Sequence, residues 1–229
     1  MQNCAVSTLG VRNAFNSDNW HKVLRALEDF NVPEYLLRII SSYFHNRVLE
    51  YETEEGCKSY KVTGGVPQGS VLGPTLWNAM YDGVLRLELP EEATIVGYAD
   101  DIALVVVDKR LSLLEAKCND AIARVQWWLN NAGLELAAQK TAAVLISARK
   151  KKETMRIMIG DHEILSQESI KYLGLTIDSR LSYKHHPLAV SDKAEKINGA
   201  RKETSHINSR RLCRALCGPN MGRSQKLSH

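Results

Sequence analysis

The sequence predicts an α+β fold in which an antiparallel β-sheet is packed against helices on one face. Short runs of β-branched and apolar residues, which are typical of strands, are joined in pairs by a few turn-forming residues. Between these pairs lie longer stretches whose apolar residues recur at helical spacing. The strands and helices lack the regular alternation of a parallel α/β protein, and this order favours an α+β sheet.

Composition narrows the class of protein before any motif is considered. The 229 residues are 44% hydrophobic and 24% charged, which is ordinary for a globular protein with a substantial core. The five scattered cysteines are typical of a reducing compartment and do not suggest a disulfide framework. Because the sequence shows no signal peptide and no apolar run of membrane-spanning length, we expect an intracellular protein of the nucleus or cytoplasm with no membrane partner.

The first elements are expected to be a strand and two helices. The strand covers Ala5–Val11, Asp18 is placed to cap the first helix, and Pro33 is placed to open the second. The apolar face of the first helix consists of Trp20, Leu24, Leu27 and Phe30. The apolar face of the second helix consists of Leu36, Leu37, Ile40 and Phe44. Stripes of this kind indicate packing in a core.

Two strands at 48–53 and 58–63 are expected to lead into a glycine-rich loop at Gly64–Pro74 and a helix that ends near Leu87. Glycines at this density allow a ligand to approach the backbone closely. On its own, however, the segment is better explained as an ordinary Gly/Pro loop. It matches neither the Gly-Lys-Ser/Thr pattern of phosphate-binding loops nor the dinucleotide-binding pattern.

A hairpin inside the core is expected at 94–107, with Asp100 and Asp101 side by side at its turn. Two unit charges about 4 Å apart repel by roughly 4 kcal/mol at an effective dielectric constant of 20. A divalent cation bound together with substrate phosphates would offset this repulsion, so the two carboxylates are candidate metal ligands. An isolated dipeptide of this kind would be better explained as a water-exposed turn.

The rest of the chain is expected to begin with a long amphipathic helix at Leu111–Asn131, which ends at Gly133. The later strands and helix are expected at 141–147, 155–159, 163–165, 170–177 and 189–200. After Glu203 the chain is basic without any acidic residue, a pattern that suits nucleic-acid phosphates but also occurs in simply solvated tails.

Five segments carry a resemblance to a known family. They are Val11–Ser17, Gly65–Ser70 with Leu72–Pro74, Tyr98–Asp101, Gly133–Thr141 and Tyr172–Gly174. In this order they resemble the palm motifs of reverse transcriptases from non-LTR (LINE-type) retrotransposons of arthropods. The resemblance implies a palm over residues 1–186 with the fingers largely absent, the start of a thumb-like helix at 187–208, and a basic tail at 209–229 that is expected to be disordered.

The resemblance also implies a reaction, in which RNA is copied into DNA by two-metal nucleotidyl transfer. The partners would be an RNA template, a DNA primer and deoxynucleoside triphosphates. By resemblance, Asp100, Asp101 and the backbone of Val11 would bind Mg²⁺, and the two aspartates would be catalytic.

Other residues are implied to contact the incoming nucleotide. By resemblance, Phe15 would lie under its sugar, and Gln68 and Gly69 would line the pocket for the nucleotide and its templating base. Lys140 would lie near the triphosphate as a proton donor, although an exposed turn lysine explains it equally well. The segment Tyr172–Gly174 resembles the primer grip.

One departure from the family pattern concerns the first motif. The family has an aspartate four residues before the Ala-Phe pair, and this chain has Gly10 there. Losing one preorganised electrostatic group typically costs on the order of 10²- to 10³-fold in rate. We therefore expect an inefficient or inactive polymerase. The alternatives are a non-catalytic remnant that binds nucleic acid and a purely structural or interaction domain.

Overall fold

A computed structural model of the chain describes residues 2–17, 19–67, 69–149 and 153–182. Residues Met1–Ser182 belong to one compact unit. The predicted helix at 189–200, the thumb-like region at 187–208 and the tail at 209–229 lie outside the described residues. Within the described ranges, no helix is both long and apolar enough to cross a membrane.

The unit is built from strands and helices in mixed order. The strands are β1 (Asn3–Arg12), β2 (Val48–Thr53), β3 (Gly56–Lys61), β4 (Ala93–Tyr98), β5 (Asp101–Asp108), β6 (Glu135–Ser147), β7 (Arg156–Ile159), β8 (His162–Leu165), β9 (Ser169–Tyr172) and β10 (Leu175–Asp178). The helices are α1 (Ala14–Ser17), α2 (Trp20–Asp29), α3 (Glu34–Phe44), α4 (Leu72–Leu85) and α5 (Leu111–Ala132). The predicted α+β class is confirmed.

The central feature is a four-stranded sheet in the order β4-β5-β1-β6. All of its neighbouring strands are antiparallel. The hairpin β4–β5 forms one edge, and β1 lies between β5 and the long strand β6. The remaining strands form three two-stranded hairpins, β2–β3, β7–β8 and β9–β10.

The two faces of the sheet are covered differently because side chains alternate along each strand. On β1, Ala5, Leu9 and Val11 belong to the main core, which also contains the buried faces of α2, α4 and α5. Val6 belongs to a smaller cluster on the opposite face together with Ile170 of β9. The helices therefore pack on one face, as predicted, and a β-hairpin covers part of the other.

Helix α5 is the longest support of the sheet. Its buried residues are Leu114, Cys118, Ala121, Ile122, Val125, Leu129 and Ala132. The helix ends at Gly133, which has a left-handed φ of +81° and donates its N–H to the carbonyl of Asn130. This C-cap confirms the predicted end of the helix.

Three local predictions were wrong at the ends of α2 and in β4. Phe30 was predicted to face inward, but it is 46% exposed because α2 ends at Asp29 and the next residue leaves the apolar stripe. The helix is capped by Asn19, whose side chain accepts the N–H of His21; Asp18 lies outside the described residues. The hairpin at 94–107 is not wholly inside the core, since β4 is an edge strand and Val96 is 48% exposed.

The predicted single strand at 170–177 is two strands joined by a tight turn. Leu173 and Gly174 have φ values of +48° and +81°, so the chain reverses between β9 and β10. Positive φ at both central residues is the mark of a type I′ turn, which matches the twist of a two-residue hairpin. The apolar content of the segment concealed this turn from the sequence.

Candidate active site

The turn of the β4–β5 hairpin carries the two adjacent carboxylates at one end of the sheet. Tyr98 and Asp101 are directly opposed at the end of the ladder, so Ala99 and Asp100 form the turn itself. Ala99 has a left-handed φ of +53°. Asp100 is half-buried and Asp101 is exposed. The sequence prediction of paired carboxylates on a hairpin turn is confirmed.

Trp77 of α4 anchors this turn from beneath. Its indole Nε1–H donates a hydrogen bond to the carbonyl of Ala99, 3.1 Å away, and its side chain is fully buried. The Trp77 ring lies 4.8 Å from the ring of Phe15 and 4.7 Å from that of Tyr81, measured between centroids. Phe15, a predicted site residue, is therefore connected to the acidic turn through one shared aromatic neighbour.

Asp101 interacts electrostatically with residues that are distant in the sequence. Although Asp101 is exposed as a whole residue, partial desolvation of its carboxylate raises its pKa, the charge of Asp100 raises it further, and the Lys140 ammonium lowers it in part. Burial, and then the charge of Asp101, also raises the pKa of Tyr172 in β9. Lys140 of the fourth predicted segment and Tyr172 of the fifth thus interact electrostatically with Asp101, which belongs to the third.

Tyr81 is a residue of this region that the sequence analysis missed. Burial raises its pKa, and the charges of Asp100 and Asp101 add to that rise. The hydroxyls of Tyr81 and Tyr172 are both buried without a hydrogen-bond partner among the described residues. Trp77 and Tyr81 are four residues apart on α4, directly after the glycine-rich loop, and this spacing was the signal that could have revealed them.

The glycine-rich loop is held tightly against the first segment. The N–H of Val66 donates to the carbonyl of Phe15 at 2.7 Å, and the indole of Trp20 donates to the carbonyl of Gly65 at 2.8 Å. Gly65 has a φ of +82°, and a Cβ at this position would lie only 2.9 Å from the carbonyl oxygens of Phe15 and Asn16. A glycine is therefore required for this close approach.

The remaining predicted residues are placed as follows. Gly69 has a φ of +80° and open space where a Cβ would project. Gln68 lies outside the described residues. Val11 is buried and pairs with Leu136 of β6. The metal-binding and nucleotide-binding roles of these residues stay predictions.

Gly10 lies directly opposite Asp101, as the last pair of the β1–β5 ladder. The first motif therefore contributes no side chain at the position that pairs with Asp101. A Cβ at Gly10 would lie 2.6 Å from the Cβ of Lys140, so the space is already filled. Lys140 itself is exposed, and it lies within β6 and not in a turn.

The donor set does not fit a pair of divalent ions. Two carboxylates on one turn are the acidic groups in place, and Gly10 offers no third. The described part of the chain contains no group of three or more His, Cys, Asp or Glu side chains that could hold a metal ion. A lysine occupies the space next to Gly10 instead.

An antiparallel sheet backed by helices, with a carboxylate hairpin at its end, is the architecture of a polymerase palm. The family model for reverse transcriptase (RNA-dependent DNA polymerase) matches residues 1–177. The chain belongs to the reverse transcriptase family.

Similar proteins come from insect retrotransposons. The putative 115 kDa protein of the R1DM element and the RNA-directed DNA polymerase of the mobile element jockey, both from Drosophila melanogaster, are each 27% identical to this chain and match 82% and 78% of it. The R2 Pol polyprotein of Nasonia vitripennis is 30% identical over 76% of the chain. The matches cover 18%, 20% and 18% of these relatives, so the chain spans about a fifth of their length. The expected relation to arthropod non-LTR elements is confirmed.

Solved structures agree on the fold. Telomerase from Candida tropicalis, truncated from the C-terminal domain, superposes with a TM-score of 0.55 at 12% identity, covering 79% of this chain and 35% of its own. Telomerase from Candida albicans gives a TM-score of 0.56 at 13% identity, covering 76% of this chain and 30% of its own. At these identities the likeness concerns the fold alone.

Proposed function

We propose that this chain is the palm of an RNA-directed DNA polymerase that still binds a template–primer hybrid but transfers nucleotides poorly. One observation carries the proposal: Asp101 interacts electrostatically with residues of the fourth and fifth segments, while Gly10 of the first motif lies directly opposite it. These interactions support a retained polymerase site. The glycine opposite Asp101 supports the view that nucleotide transfer is impaired because a single carboxylate is missing.

Retained binding is supported by the surface next to the acidic turn. The tip of the β9–β10 hairpin presents Leu173, which is 48% exposed, immediately after Tyr172, whose pKa responds to Asp101. An exposed apolar side chain next to Tyr172 suits the sugar of a primer end. The glycine-rich loop and Phe15 form a second wall of backbone and aromatic surface, suited to an incoming nucleotide.

Impaired transfer is supported by the donor set. The chemistry of Mg²⁺ in such a site is to activate the primer hydroxyl and neutralise charge on the transferred phosphoryl group. Asp100 and Asp101 would hold such an ion, and Gly10 could not add a third carboxylate to them. We therefore assign no two-metal step to this chain, and we assign its residues the binding and orientation of nucleic acid.

The test measures binding of a labelled RNA template–DNA primer hybrid by fluorescence anisotropy over a range of salt concentrations. We expect binding whose affinity falls steeply with salt, by a slope of about 0.9 or less for each phosphate contacted. Leu173→Asp should weaken binding about tenfold or more, because it places a negative charge beside the hybrid.

Leu165→Asp provides the matched control, since Leu165 is 51% exposed on β8 and has no proposed contact. It should change the affinity less than twofold. Absence of binding, or equal effects of the two substitutions, would contradict the proposal and favour a structural domain without a nucleic-acid role.

A further inference from the structure

The β2–β3 hairpin has one face on which neither strand places an acidic residue. Leu49 is opposed to Tyr60 and Tyr51 is opposed to Lys58, so these four side chains share one face. Both glutamates of β2 alternate with them and lie on the other face. Both tyrosines are exposed, and Lys58 pairs with Glu55 of the turn. The face therefore presents two aromatic rings to the surroundings without a strand carboxylate between them.

A cavity of about 720 Å³ lies between this face and the glycine-rich loop. Leu49 and Tyr60 line it on the hairpin side, residues 63–67 line it on the loop side, and Asn16 of α1 lines it between them. Its volume is within the range of ligand-sized cavities, roughly 300–1,000 Å³. Because the same loop is hydrogen-bonded to the carbonyl of Phe15, the cavity adjoins the wall that we propose for the incoming nucleotide.

Arg47 brings an uncompensated positive charge to this cavity. Its guanidinium lies over the ring of Tyr43, 4.8 Å from the centroid, and the residue lines the cavity together with Leu49 and Tyr60. The Nη1 atom is buried and has no hydrogen-bond partner among the described residues. A partly desolvated cation without an acceptor is costly, and an anion in the cavity would supply the missing counter-charge.

We propose that this face and its cavity bind a single-stranded extension of the RNA template, with a phosphate at Arg47 and a base stacked on Tyr60. A guanidinium fork matches the oxygens of a phosphate, and an exposed aromatic ring is a platform for any base. The absence of acidic residues on this face of the two strands avoids repulsion of the phosphate chain. The inference rests on the proposed function and deepens it, because it assigns the unpaired part of the template to a surface separate from Leu173.

The experiment compares two labelled hybrids on the full chain by fluorescence anisotropy. They share one RNA–DNA duplex, which is blunt in the first and carries a 5′ single-stranded RNA extension of about six nucleotides in the second. We expect the extension to raise the affinity about tenfold or more. Tyr60→Ala should remove at least about fivefold of that gain, because a stacked base loses its platform. Tyr35→Ala is the matched control, since Tyr35 is 62% exposed on α3 without a proposed contact, and it should change either affinity less than twofold.

A second pair of variants tests the phosphate contact. Arg47→Gln should weaken binding of the extended hybrid about fivefold or more, and it should lower the salt dependence by about 0.7, as the loss of one single-strand phosphate contact does. Lys61→Gln removes the same charge from the opposite face of β3 and should change the affinity less than twofold. The blunt hybrid should respond to neither variant. If Arg47→Gln does not fold, the exposed Tyr60 still decides the question.

The outcomes separate this inference from the proposed function. If the chain binds neither hybrid, both are wrong. If it binds both hybrids equally and Leu173→Asp still weakens that binding, only this inference is overturned. It is also overturned if Tyr35→Ala or Lys61→Gln has the effect of its partner variant. A poly-glutamate peptide that binds with the same losses in Arg47→Gln and Tyr60→Ala would overturn it as well, and would assign the face to an acidic protein segment.

Discussion

At the scale of single residues, Trp77 links the acidic turn to the core. It donates to the carbonyl of Ala99 while its ring contacts Phe15 and Tyr81. Trp77→Phe keeps an aromatic ring but removes the donor and part of the volume, leaving the Ala99 carbonyl without this partner. We expect the free energy of unfolding to fall by about 1–3 kcal/mol in urea denaturation.

Trp127→Phe is the control for that substitution. Trp127 is 66% exposed on α5, and its replacement should change the free energy of unfolding by no more than about 0.5 kcal/mol. Equal effects at the two tryptophans would show that the hydrogen bond to the turn contributes nothing measurable.

The raised pKa of Asp101 predicts the pH dependence of its substitution. Because burial and Asp100 raise this pKa above the ordinary 3.8, the ionised carboxylate opposes folding at neutral pH, and the cost disappears below that value. Asp101→Asn should therefore raise the melting temperature at pH 7, on the order of 1–3 °C for an exposed group. The gain should vanish in scans below about pH 4.

Asp108 provides a control of opposite sign on the same strand. The backbone N–H of Arg110, and then the Lys117 side chain 2.9 Å away, lower its pKa. Its ionised form therefore stabilises the fold above the ordinary carboxyl pKa, and this contribution is lost as the pH falls. Asp108→Asn should lower the melting temperature at pH 7 and have little effect in acid. Shifts of the same sign for both variants would contradict these assignments.

Residue patterns gave the carboxylate pair and the departure at Gly10, but not the contacts around them. Adjacent aspartates between two apolar runs are visible in the sequence, and so is a glycine in place of an expected acid. The contact of Gly10 with Lys140 depends on an irregularity in the pairing of β1 with β6, and no local pattern encodes how two positions so far apart in the chain come together. The spacing of Trp77 and Tyr81 on α4 is visible in the sequence, but the charges that act on Tyr81 come from the acidic turn and from β9, which no local pattern shows.

At the scale of elements, Leu173 in the β9–β10 hairpin combines a strained backbone conformation with a side chain proposed to contact nucleic acid. Leu173 has a φ of +48° in a type I′ turn, where asparagine is favoured and a leucine is strained. Leu173→Asn should raise the free energy of unfolding by about 0.5–1 kcal/mol. The same substitution should weaken hybrid binding in the anisotropy assay, because it removes the exposed apolar side chain. If the variant is less stable than the parent chain, Leu173 is not strained in this turn. If binding is unchanged, the Leu173 side chain does not contact the hybrid.

Most element types followed from periodicity, whereas several boundaries did not. The stripe of α5 and its Gly133 cap gave that helix almost to the residue. Strand β6 was predicted from 141, but it begins at Glu135, because residues 135–140 mix polar and apolar side chains beside a bulge. The hairpin β2–β3 was found, yet it carries no core face, and only Thr53 in it is not exposed.

At the scale of the whole molecule, the buried core and the exposed apolar side chains of the β2–β3 hairpin lie in different parts of the chain. The sheet β4-β5-β1-β6 and the helices α4 and α5 enclose most buried residues. The hairpin β2–β3, by contrast, exposes the opposed pair Leu49 and Tyr60, at 56% and 60%. The fold class followed from the order of elements, but no periodicity in the sequence indicated which hairpin would have exposed side chains on both faces.

We propose that this reverse transcriptase palm retains its fold and lacks efficient transfer because of position 10. It is tested most directly by primer extension on an RNA template with Mg²⁺, at protein concentrations that bind the hybrid, with Asp101→Asn as the blank. We predict no extension by the unaltered chain above the level of Asp101→Asn. Mg²⁺-dependent extension by the unaltered chain that Asp101→Asn abolishes would contradict the claim.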